Sequence, residues 1–260
     1  MQASIQGYLV DLDGTLYAGG NAVPGAADAL ERLRRYQVPF RLVTNTTSRS
    51  RSMLLQRLTD YGFEVGLPEI FTATIAGRDM ALTAGYHSVA PFTPEPALED
   101  LEPLVLVGGT SGQTPRAVPH AVLVGDLGER WNYDLMQEAF EYLMNGADLI
   151  ALSKDRYWLR DNKLVLDAGP FVVGLEFASG KTARVAGKPS GEFFHAAVQS
   201  LSCAPRLVAM VGDDLWSDVQ GAQRAGLQGW LVRTGKFRPG VLSDSGIQPD
   251  RILDSIADLG

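Results

Sequence analysis

Asp11 and Asp13 stand one residue apart in "YLVDLDGTLY", at the end of an apolar run and just before Gly14. Like charges so close raise each other's cost of ionisation, so the pair calls for a cation or a shared proton. An aspartate can attack phosphorus and form an aspartyl-phosphate that water later hydrolyses. Such a transfer needs a divalent cation, a fixed lysine or arginine, and backbone N–H donors around the spread charge of the phosphoryl group. The chain offers a candidate for each need. Asp11 would attack, and the backbone from Leu12 to Gly14 would curve round the phosphate, with Gly14 permitting unusual dihedrals. Thr44, with the Asn45 amide, would bind a phosphate oxygen, and Lys188, between Gly187 and Pro189, would neutralise charge. Asp213, with Asp214 and Asp218 nearby, would complete an oxygen-rich Mg²⁺ site, which makes an ionised Asp11 tolerable. Asp13 sits where a general acid would protonate the leaving oxygen and then deprotonate the hydrolytic water.

These residues need elements to hold them. Residues 5–12 read as a short buried strand, residues 25–36 as a helix introduced by Pro24, "PFRLVTN" as a strand, and residues 50–61 as a helix stopped by Gly62. The later part repeats the grammar: "TARVAG" a strand, "SGEFFHAAVQSL" a helix, "LVAMVG" a strand, "DVQGAQRAG" a helix, "GWLVRTG" a strand. Strand alternating with helix implies parallel strands and right-handed crossovers, with functional loops at the carboxyl ends of strands. The candidate residues fall at those ends.

Between the two blocks lie strand signals in "PLVLVGG", "HAVLVGD" and "LIALS", and a helix in "YDLMQEAFEYLMNG". The run "APFTPEPALEDLEP" reads as loop or linker. We therefore expect an α/β core formed by residues 1–77 and 182–260, interrupted by a smaller α/β insertion at 78–181.

The bulk composition fits that plan. The chain has 260 residues, 45% hydrophobic and 20% charged, which suffices for a sizeable core. A net charge of -7 argues against nucleic acid or an anionic membrane as partner. The lone cysteine, Cys203, cannot form an internal disulfide and reads as a small buried hydrophobe. With neither a leader-like N-terminus nor a long apolar window, we expect a soluble, cytoplasmic protein.

Other residues carry less. His87, His120 and His195 are too scattered in sequence to suggest a metal cluster. "GDLGERWNYD" mimics the later "GDDLWSD" but reads as a strand-to-helix turn, with Trp131 or Asn132 as lesser candidates for substrate contact. Tyr157 and Trp158 read as packing residues of a hairpin through "RDNK".

"DLDGT", "VTN", "GKP" and "GDDLWSD" resemble the four signature motifs of the haloacid dehalogenase superfamily, in its phosphatase branch. The large insertion is similar to the class IIA caps of the NagD and p-nitrophenyl phosphatase group. "VPGA", "VTNTT", "DAGPFVVGLEFASG" and "GDDLWSDVQGAQRAG" most resemble the subgroup of phospholysine phosphohistidine inorganic pyrophosphate phosphatase and haloacid dehalogenase-like hydrolase domain-containing protein 2. The resemblance implies a Rossmann-like parallel-sheet core with an inserted cap that shields the site and selects a small phosphorylated substrate. It also implies Asp11 as nucleophile, Asp13 as acid/base, and Mg²⁺ held by Asp11, the Asp13 carbonyl and Asp213. Asp218 would support Lys188 or the metal's waters, and a homodimer through the cap is allowed. A phosphotransferase or mutase using the same aspartyl-phosphate, and a non-catalytic phosphate-binding regulatory protein, remain open at this point.

Overall fold

Gly7–Asp11 is a strand buried along its whole length. Such a near-continuous apolar run suits the centre of a parallel sheet, where both faces are covered. In the structure, a computed structural model describing residues 4–114, 117–160 and 163–259, it is the fourth strand of a six-stranded sheet. The order is Arg251–Leu253, Gln228–Val232, Val208–Gly212, Gly7–Asp11, Phe40–Thr44, Ile70–Thr72. Gly7–Asp11 is parallel to both of its neighbours. The chain runs outward from it through Phe40–Thr44 to Ile70–Thr72, then resumes on its other side at Val208–Gly212. The order thus reverses beside Asp11, and a crevice at the carboxyl ends of the strands is the place where such sheets bind ligands.

The helix Ala26–Arg35 buries Ala26, Ala29, Leu30 and Leu33, one face at helical spacing. Asp28 in its first turn and Arg32, Arg34 and Arg35 in its last complement the helix dipole. Arg51–Asp60 likewise buries Leu54 and Leu58. These faces join Tyr8, Val10, Leu42, Val211 and Trp230 in one apolar core, with the Tyr8 and Trp230 rings edge-on at 5.6 Å.

The chain divides into two compact units, one of Met1–Thr44, Ser52–Phe71 and Lys188–Gly260, the other of Asn45–Arg51 and Thr72–Gly187. The limits of 78 and 181 read from sequence lie inside the second unit, and 77/78 falls within the helix Ala73–Thr83. The second unit has its own parallel sheet, ordered Arg184–Val185, Asp148–Ala151, Ala121–Val124, Ser88–Phe92, Val105–Leu106. In its core Phe92 stacks on Trp131, and Trp131 on the half-buried Phe171, with centroids 5.8 and 4.9 Å apart.

Several expectations change here. "TARVAG" contributes a strand, but Arg184–Val185 pairs with Asp148–Ala151 and so belongs to the second sheet, not the core sheet. "APF" closes the strand Ser88–Phe92 and "EPALEDL" is a 3₁₀ helix, so that stretch is not a linker. The helix expected in "DVQGAQRAG" begins earlier, as a wide π-helical turn over Leu215–Gln220 followed by Gly221–Arg224. Cys203 is half-buried, not buried. The hairpin Tyr157–Arg160 with Lys163–Leu166 forms, yet Tyr157 is exposed at 54% and Trp158 at 38%, so neither is a core residue. The centre of its "RDNK" turn, Asp161 and Asn162, lies outside the described residues. No helix among the described residues is long and apolar enough to cross a membrane.

Candidate active site

The carboxyl ends of two adjacent core strands deliver the acids. Asp11 ends Gly7–Asp11, and Asp213 follows Val208–Gly212 directly. Thr44, buried, ends the strand on the other side of Asp11. Lys188 arrives from a distant part of the chain, and its Nζ donates to Oδ1 of Asp11 at 2.6 Å and to Oδ1 of Asp218 at 2.7 Å. All three side chains are buried.

Asp218 is placed by the π-helical turn. The Asp214 side chain caps that turn, its Oδ1 accepting from the N–H groups of Trp216 and Ser217 at 3.0 Å each. In return the Asp214 N–H donates to Oδ2 of Asp218 at 3.1 Å. Gly212 makes room for this return, since a side chain there would come within 2.7 Å of the Asp218 Cβ. Both Asp218 oxygens are therefore engaged, one by the Lys188 ammonium and one by the Asp214 N–H.

The loop after Asp11 is tight. The Leu12 carbonyl accepts from the N–H groups of Thr15, Leu16 and Tyr17, and the Gly14 N–H donates to the Tyr17 carbonyl at 2.7 Å. Gly14 thus uses its N–H within the loop. Its φ of 88° and its lack of a side chain let the Asp213 carboxylate pack against it. Asn45 belongs to the second unit, where its Nδ2 donates to Oδ2 of Asp155 at 3.2 Å.

Sequence reasoning missed a third contributor, the turn Thr234-Gly235-Lys236 beyond Gln228–Val232. The Thr234 hydroxyl donates to the Gly14 carbonyl at 2.5 Å, and the Lys236 N–H donates to Oδ2 of Asp213 at 2.6 Å. Lys236 Nζ reaches Oδ2 of Asp214 at 2.9 Å. The signal was a Gly-Lys pair at a strand end, the same grammar that marked Lys188.

Burial raises the pKa of Asp11, against the pull of Lys188. Burial and the charges of Asp11 and Asp218 push Asp213 well above the usual carboxylate range, and burial does the same to Asp218. Burial alone would lower Lys188, yet Asp11 and Asp218 hold it above its ordinary value. Asp11, Asp213 and Asp218 offer oxygens within 4.8 Å of one another and share one buried ammonium. Such a set lacks positive charge, and its donors fit a hard divalent cation bound through oxygen.

The lesser candidates have local partners of their own. Asn132 caps the helix Tyr133–Met144, its Oδ1 accepting from Leu135, and Trp131 is a core residue. His87 and His120 are not scattered in space, their rings meeting at 6.1 Å in the second unit. His195 pairs with the Ala225 carbonyl at 3.1 Å.

A family model described as haloacid dehalogenase-like hydrolase matches residues 8–104, and one described as HAD-hydrolase-like matches residues 185–259. Haloacid dehalogenase-like hydrolase domain-containing protein 2 of Mus musculus is 42% identical over 235 residues, covering 90% of this chain and 86% of that protein. The chain belongs to the haloacid dehalogenase-like hydrolase family. Another relative within reach of this hydrolase is phospholysine phosphohistidine inorganic pyrophosphate phosphatase of Homo sapiens, 34% identical over 266 residues, covering 98% of this chain and 93% of that one. In structure, p-nitrophenyl phosphatase from Archaeoglobus fulgidus matches the hydrolase with a TM-score of 0.88 and 27% identity, covering 99% of this chain and 98% of that chain.

Proposed function

We propose that this haloacid dehalogenase-like hydrolase is a Mg²⁺-dependent phosphatase that hydrolyses a small phosphorylated substrate through an aspartyl-phosphate on Asp11. Relatives that are phosphatases by name support a phosphate-ester hydrolase. The observation that carries the finer reading is Lys188 bridging Asp11 and Asp218 beside the Asp213 carboxylate.

An oxygen of Asp11 attacks phosphorus, and the bond to the leaving oxygen breaks as Asp13 gives that oxygen its proton. Asp13 then takes a proton from water, whose oxygen bonds to phosphorus while the Asp11 ester bond breaks and phosphate departs. Lys188 neutralises charge between nucleophile and phosphate, and Asp218 keeps it there. Thr44 and the backbone N–H groups of Leu12 and Asp13 bind phosphate oxygens. Asp11, Asp213 and the Asp13 carbonyl would hold Mg²⁺, which when bound supplies positive charge to the phosphoryl oxygens and to the acid cluster.

All of these groups lie in the first unit, so we assign substrate choice to the inserted second unit. Its surface exposes Leu164, Leu166, Val173 and Phe177, which suits a homodimer joined through it. The single cysteine suits a reducing, cytoplasmic setting.

The test is a screen of phosphorylated metabolites, including phosphoamino acids and pyrophosphate, with Mg²⁺ present and with it chelated. Turnover with Mg²⁺, its loss on chelation, and homoserine at position 11 after borohydride trapping are expected. Metal-independent turnover, or a trap at another residue, would overturn the reading.

A further inference from the structure

Tyr17 lies four residues beyond Asp13, and the tight turn at Leu12–Gly14 folds it back over that acid. Its hydroxyl donates to Oδ2 of Asp13 at 3.2 Å. The ring cannot swing away easily, being only 2% exposed, with its backbone paired to Ala22. The Arg57 guanidinium lies 4.4 Å from the Tyr17 ring centroid, and the Tyr61 ring centroid is 5.2 Å from it. Arg57 is fixed in turn, with an Nη2 donor 3.4 Å from the Tyr61 hydroxyl. A cation over the ring face is attracted by the ring quadrupole, and it draws electron density from the phenol, which sharpens the hydroxyl as a donor.

Asp13 itself is exposed. Its carboxyl can therefore rotate about χ2, a broad and roughly two-fold torsion, and exchange its two oxygens. A proton-transfer group loses rate when its reactive oxygen is misaligned, because the transfer needs hydrogen-bond reach to the leaving oxygen. A tyrosine hydroxyl is a donor throughout the neutral range, so it selects one carboxylate oxygen and holds it.

We propose that Tyr17, braced by Arg57, is a positioning residue that occupies Oδ2 of Asp13 and so reserves Oδ1 for the leaving oxygen and then for the hydrolytic water. The proposal rests on the reading of Asp13 as acid/base. It adds which oxygen moves the proton and what keeps it in place.

Kinetics of Tyr17→Phe, Arg57→Met, Asp13→Asn and the double variant Tyr17→Phe/Asp13→Asn, each on an alkyl phosphate and on an activated aryl phosphate, test it. An aryl leaving group hardly needs a proton. For Tyr17→Phe, kcat on the alkyl phosphate should fall about tenfold with KM within about twofold, while kcat on the aryl phosphate changes less than about twofold. Arg57→Met, at a half-buried position and with the hydroxyl intact, should show the same selectivity more weakly, and it carries the test should Tyr17→Phe fold poorly. In the Asp13→Asn background, Tyr17→Phe should add almost nothing, since two residues acting through one group are not additive. Equal losses on both substrates for Tyr17→Phe and Arg57→Met, or full additivity with Asp13→Asn, would overturn the positioning role alone. If Asp13→Asn slows both substrates equally, the acid/base reading falls and this inference with it.

Discussion

Lys188 Nζ stands 2.6 Å from Oδ1 of Asp11, with 4% and 9% of their side chains exposed. A buried ion pair at this distance is held by mutual need, because removing either partner leaves an uncompensated charge in a low-dielectric site. Asp11→Asn should keep its circular dichroism and lose turnover by several orders of magnitude, since a neutral amide neither attacks phosphorus nor ligates Mg²⁺ well. Near-normal hydrolysis would remove Asp11 from the nucleophile's place.

Lys188→Met separates structure from catalysis at the same pair. Left without the ammonium, Asp11 and Asp218 should cost the fold about 3 kcal/mol in a urea titration without metal. Turnover should fall by at least about a hundredfold with Mg²⁺ saturating. A variant that is less stable yet fully active would make Lys188 a structural residue only.

The Thr234-Gly235-Lys236 turn predicts a metal phenotype away from the acids. Gly235 has a φ of 58°, and a side chain there would come within 2.6 Å of the Gly14 Cα as well as meeting the Asp213 carboxylate. Gly235→Ala should therefore displace Asp213 and weaken Mg²⁺ binding about tenfold by titration calorimetry. Gly240→Ala, where an added Cβ meets open space, is the control and should bind as the parent does. Unchanged affinity in Gly235→Ala would mean that Asp213 does not depend on this turn.

In the second unit, Glu176 takes Lys154 Nζ on both oxygens at 2.8 Å and the Ala183 N–H at 2.9 Å. Burial opposes its ionisation, but these donors prevail and hold its pKa below the ordinary 4.5. A depressed folded pKa stabilises the fold above the unfolded value, and that contribution is lost as pH falls through the folded value. Glu176→Gln should thus cost about 1 kcal/mol at pH 7, with the difference from the parent shrinking once the pH drops below about 4. A difference that stays constant from pH 7 to pH 3 would assign the effect to packing.

Excision tests the division of labour. Replacing residues 72–187 by a short Gly/Ser linker removes none of the acids or Lys188 and leaves the first unit's apolar core whole. Hydrolysis of an activated aryl phosphate should remain detectable, while kcat/KM for the best small phosphomonoester falls. A soluble, folded truncation that keeps the full preference among small phosphates would take substrate choice away from the inserted unit.

The sequence by itself determined what local pattern controls. An apolar run of strand length ending in Asp11, another ending before Asp213, and helical spacing between such runs suffice to specify a parallel α/β sheet with its polar residues at strand ends. Period and turn residues are properties of neighbouring positions, so the strand Val208–Gly212 and the helix Ala26–Arg35 were legible. What joins distant segments was not. Lys188 meets Asp11 across 177 positions, and Arg57, from the helix Arg51–Asp60, lies over Tyr17 in the short strand Tyr17–Ala18. The strand Arg184–Val185 reads like its core counterparts, yet its ladder lies in the other sheet, because backbone pairing carries no residue code. The same holds for the Lys236 N–H on Asp213: every residue has a donor there, and only the folded path of the loop aims this one at a carboxylate.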